Sequence, residues 1–167
     1  GGGTAIRVGV LNAGNMTQLI AQLNDDTYFN FDAISVTATD IDTLAELNTF
    51  DAVIIGDPAS RALLEQVATP LRDWVRTGGA VVGTGGLIQA AGSNTGVPIQ
   101  AISEMIPVST WGIPSMLTNP TIDVLDSPHR VTQGLSDFLL GGPLEYQAGG
   151  VVWTNADVLA RTNGEPA

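Results

Sequence analysis

The chain has 167 residues, of which 44% are apolar, a size and composition that suit one domain with a sizeable core and argue against disorder. A formal charge of −11, with six Arg and no Lys, argues against the cationic surface that nucleic acid or an anionic membrane requires; its plainest reading is a solvated acidic exterior. The lack of cysteine excludes disulfides, thiolate metal sites and a thiol nucleophile, and no apolar run approaches the ~20 residues of a membrane helix, so no membrane insertion is expected.

Residues 1–4 (Gly-Gly-Gly-Thr) read as a linker or processed end. Ala5–Leu11 (AIRVGVL) reads as a central parallel strand that ends at Asn12-Ala13-Gly14-Asn15. Asn15 is positioned to cap a helix over Met16–Leu23, where Leu19, Ile20 and Leu23 recur at helical spacing. Phe31–Thr37 alternates as a second strand, and Ile41–Leu47 reads as a short helix capped by Asp42. Phe50–Gly56 is the clearest strand; it ends at Asp57-Pro58, and Pro58 suits the first turn of a helix. The helical stretch Ala59–Arg76 contains Pro70, which predicts a kink or a split. Leu71, Trp74 and Val75 form its apolar face, and Gly78-Gly79 ends it. A fourth strand, Ala80–Gly83, runs into the glycine-rich turn Thr84-Gly85-Gly86 and a helix over Leu87–Ala91.

Alternating strands and helices with short connections predict a parallel sheet covered on both faces. After Gly92 the texture changes. A helix is expected over Val97–Ile106, followed by short strands at Val108–Trp111, Thr121–Leu125, Leu144–Gln147, Val151–Thr154 and Val158–Arg161. The last of these runs into Asn163-Gly164, a strong hairpin signal, with the returning strand missing from the chain. One α/β domain over residues 5–167, lacking its last hairpin strand, is therefore expected. The unfinished edge at residues 158–167 predicts a protein partner or self-association there.

Three stretches carry a family resemblance. Phe50-Asp51-Ala52-Val53-Ile54-Ile55-Gly56 resembles a "YDVVIL" strand. Leu71-Arg72-Asp73-Trp74-Val75-Arg76-Thr77-Gly78-Gly79-Ala80-Val81-Val82-Gly83 resembles a helix leading to "V-GGG-VVG". His129-Arg130-Val131-Thr132-Gln133-Gly134-Leu135-Ser136-Asp137-Phe138 resembles "HPIT-GL-DF", and Val158-Leu159-Ala160-Arg161 is similar to the "VLA" strand before a hairpin. Together they resemble the class I glutamine amidotransferase-like superfamily, in particular its trehalose-utilisation-type (ThuA-like) branch and related domains of large bacterial surface proteins. The resemblance implies a flavodoxin-like, three-layer α/β sandwich with a mostly parallel central sheet and a strand-rich C-terminal part. It also sets the nucleophile-elbow position at Gly85. That position is Cys in active amidotransferases and often His in the ThuA-like branch, so the departure argues against amidotransferase chemistry. His129 matches a structural segment of the pattern rather than a catalytic one.

The remaining candidates for chemistry are few. Thr84 would need a base within hydrogen-bond reach to act as a nucleophile, and His129 is the sole imidazole; satisfying the turn's backbone is the plainer role for Thr84. Asp25-Asp26, Asp40 with Asp42, and Asp123 with Asp126 are paired carboxylates without Ca²⁺-loop spacing, so no metal site is assigned. No cofactor motif is present either: the glycines at 83, 85 and 86 lack the third glycine of a dinucleotide fingerprint and the Lys of a P-loop. Doubly wound sheets bind ligands at the carboxyl ends of their strands, which makes Asn12, Asn15, Asp57, Thr84 and Gly85 the candidate rim. Their small polar character suits a neutral sugar. The expectation is a non-catalytic structural or interaction module of a larger secreted or cell-surface assembly, with a cytoplasmic setting as the other possibility. A carbohydrate-active hydrolase or isomerase of trehalose-utilisation type, or a sugar-binding module without turnover, stands as the alternative.

Overall fold

Four short apolar segments pair into one parallel sheet. In the computed structural model the described residues are 4–11, 16–27, 30–55, 60–83, 87, 90–91, 99–106, 113–125, 129, 132–141, 143–148 and 159–162. The strands are β1 (Ile6–Leu11), β2 (Phe31–Val36), β3 (Ala52–Ile55) and β4 (Ala80–Gly83), in the order β2-β1-β3-β4. This is the flavodoxin-like order, with the switch point between β1 and β3. Each strand falls on its expected segment, and β4 has the bounds read from the sequence.

Helices cover the two faces because the strands are apolar on both. Helix α1 (Thr17–Leu23) sets Leu19, Ile20 and Leu23 against Val8, Val10, Ala33 and Ile54. Helices α2 (Leu44–Leu47), α3 (Arg61–Arg76) and α4 (Gln100–Ser103) pack on the opposite face, where Leu11, Val36, Val53 and Ile55 meet Leu47, Leu64, Val67, Leu71, Trp74 and Ile102. Three layers result, as expected for the fold class.

Several local expectations need correction. The N-cap of α1 is Met16, without a side-chain cap; Asn15 itself lies outside the described residues. Helix α2 is shorter than Ile41–Leu47 and is capped by Thr43, not Asp42, in a reciprocal box with Glu46. A 3-10 turn at Ala38–Asp40 takes up the preceding residues, and Asp42 accepts a bond from Gln66 instead. Helix α3 is one 16-residue helix with Pro70 inside it, not split there. Proline leaves the Gln66 carbonyl without its helical donor. Gln66 is exposed, so water can serve that carbonyl, while buried Val67, Ala68, Leu71 and Trp74 hold both halves on the sheet. Of the expected Val97–Ile106, Val97 and Pro98 lie outside the described residues, and among the rest helix α4 occupies Gln100–Ser103.

Among the described residues the strand-rich part forms two antiparallel sheets. Strands β5 (Ile113–Thr118) and β8 (Pro143–Ala148) pair from Ile113 opposite Ala148 to Thr118 opposite Pro143. Strands β6 (Thr121–Val124), β7 (Phe138–Leu139) and β9 (Ala160–Thr162) form the order β7-β6-β9. The sequence did not signal β7, and the strands expected at Val108–Trp111 and Val151–Thr154 lie outside the described residues.

Candidate functional site

The parallel register aligns the carboxyl ends of all four strands. Val36 pairs with Leu11, Leu11 with Ile55, and Ile55 with Gly83, so the four strands end in a single row. With strands ~4.8 Å apart, the ends of β1 and β4 stand roughly 10 Å from one another. Asn12 and Asn15 follow β1 in the chain, Asp57 follows β3, and Thr84 and Gly85 follow β4. All five lie outside the described residues.

What is described around this row is committed to local structure. After β2, the Asp40 carboxylate accepts from the Thr37 hydroxyl at 2.6 Å and from the Thr37 amide at 2.7 Å. Those bonds hold the Asp40 carboxyl below its ordinary value of 3.8, the hydroxyl contributing most. Ahead of α3, the Ser60 hydroxyl accepts from the Leu63 amide and caps the helix. Arg61 donates to Glu65 at 2.8 Å and to the Ala91 carbonyl at 3.2 Å. The same carbonyl accepts from the Ile99 amide at 2.8 Å. Ala91 thus ties the helical turn after β4 both to α3 and to the segment leading into α4. Sequence reasoning missed Arg61, and no local signal could have found it, because its acceptor is a backbone group 30 residues away.

Gly83 explains part of the glycine-rich turn. A Cβ at this position would fall on the tip of Leu87, a buried residue of the core. The Leu87 side chain occupies the volume where any side chain of residue 83 would begin. This glycine therefore serves packing, and the turn residues Thr84, Gly85 and Gly86 lie outside the described residues.

The His129 segment is a fold element. The His129 carbonyl accepts from both the amide and the hydroxyl of Thr132, at 3.1 and 3.2 Å. Gly134 takes the left-handed φ of +81° that reverses the chain. Asp137 then accepts the Val124 amide at 2.8 Å, which sets Phe138 opposite Ile122 in the β6–β7 pairing. Polar and turn residues of the motif thereby return the chain from β6 to β7.

Three of the paired carboxylates, Asp25, Asp40 and Asp42, also have structural partners. Asp25 accepts the Thr27 amide, and hydrogen bonds from Thr27, the side-chain one first, lower its carboxyl from the ordinary value. Asp42 holds Gln66. Among the described residues no three His, Asp or Glu converge as metal ligands would, and no described helix is long and apolar enough to cross a membrane.

Sequence comparison finds no matching family model and no matching curated protein. Structure comparison does find likenesses. The cytoplasmic protein STM1381 from Salmonella typhimurium LT2 is 18% identical with a TM-score of 0.73, over 96% of this chain and 80% of that one. A protein named for GMP synthase, from Thermoplasma acidophilum, is 13% identical, TM-score 0.53, over 95% and 74%. A protein named as ThuA-like from Bacteroides uniformis ATCC 8492 is 15% identical, TM-score 0.54, over 84% and 59%. At these identities the likeness is one of fold: a flavodoxin-like α/β architecture distantly shared with amidotransferase-like and ThuA-like proteins.

Proposed function

We propose that this chain is a non-catalytic amidotransferase-like module that acts by binding protein within a larger secreted or surface-exposed assembly. The observation that carries this reading is the composition of the turn after β4. That turn follows β4, the neighbour of β3 on the side away from the β1–β3 switch point; the resemblance sets the nucleophile-elbow position there, and it reads Thr84-Gly85-Gly86. Gly85 has neither thiol nor imidazole, and a lone threonine hydroxyl needs a base to become nucleophilic. His129, the sole imidazole, lies in the segment that returns the chain from β6 to β7, where its carbonyl accepts from Thr132.

The binding surface is the edge at residues 158–167. Strand β9 pairs with β6 on one side and is the last strand of its sheet among the described residues, and Ala160 is exposed. An edge strand offers a row of backbone donors and acceptors to an extended segment of another protein. The catalytic half of the reading is tested by assaying the chain and its Thr84→Val variant on glycosides, esters and glutamine. No turnover above background in either is the expected result. A turnover present in the parent and lost in the variant would reinstate a carbohydrate-active enzyme. Saturable binding of a neutral sugar without turnover would instead make this a sugar-binding module. The interaction half is tested by cross-linking within the native assembly, where contacts should concentrate at residues 158–167; contacts confined elsewhere would refute that surface.

A further inference from the structure

We draw no further inference here: the strongest candidate, the exposed apolar surface patch of Leu135, Phe138 and Leu139 at the β7 side of the β7-β6-β9 sheet, is unpartnered among the described residues, and nothing in the structure shows what covers it.

Discussion

A Cβ built on Gly79 would fall inside the indole of Trp74, which is buried against the core, whereas one built on Gly78 would meet nothing. The two glycines are thus needed for different reasons: Gly78 takes a φ of +108°, and Gly79 makes room for a ring. Gly79→Ala must displace a buried aromatic and is expected to cost about 2–3 kcal/mol, in the range of overpacking. Gly78→Ala should cost about 1–2 kcal/mol from backbone strain alone. Urea melts of the two variants check the order, and a Gly79→Ala chain as stable as the parent would refute the account. Asp40 supplies a pH dependence. Its folded-state carboxyl lies below the ordinary 3.8, so its contribution to stability is complete above that value and is lost as pH falls through the folded one. Asp40→Asn should therefore flatten part of the acid limb of a stability–pH curve and leave the neutral limb unaltered in slope.

At the scale of elements, side chains that complete backbone pairing matter more than surface ion pairs. Asn24 satisfies both backbone groups of Ala33, a residue only 2% exposed. Asn24→Ala leaves a donor and an acceptor of that residue without protein partners and is expected to cost about 1–3 kcal/mol, with faster amide exchange at Ala33. Equal exchange in variant and parent would show that the edge does not depend on this side chain. By contrast, Arg72, Asp73, Arg76 and Glu104 link α3 to α4 through ion pairs of 2.7–3.8 Å, with side chains 23–62% exposed. Screening limits each such pair to about 0–1 kcal/mol. At the amino end of the sheet, β1 and β3 are joined where the Arg7 amide donates to the Asp51 carboxylate and the Asp51 amide donates to the Arg7 carbonyl, both at 2.8 Å.

For the molecule as a whole, the acidic charge is the dominant uncompensated feature. Only six Arg face 17 Asp and Glu, and described Arg residues already pair with acids. The remaining carboxylates repel one another more in the compact chain than in the expanded one. Raising ionic strength from about 0.01 to 1 M shortens the Debye length from roughly 30 to 3 Å, and the melting temperature should rise over that range. A melting temperature that stays constant or falls would mean that the described ion pairs outweigh the repulsion.

The amino-acid sequence by itself determined the four parallel strands, their helical crossovers and the burial of Trp74. Apolar runs, helical spacing and Gly or Pro punctuation are local properties that survive in any context consistent with them. It also marked the turn after β4 as the place to look, and it showed that a thiol is lacking there. Only the tertiary structure decided that Val36, Leu11, Ile55 and Gly83 share one row, and that Asn24 closes an edge. The same is true of the Arg61 bond to Ala91 and of the continuity of α3 through Pro70. These depend on backbone groups brought together from distant parts of the chain. Such groups are the same in every residue, so no side-chain pattern announces which of them will meet.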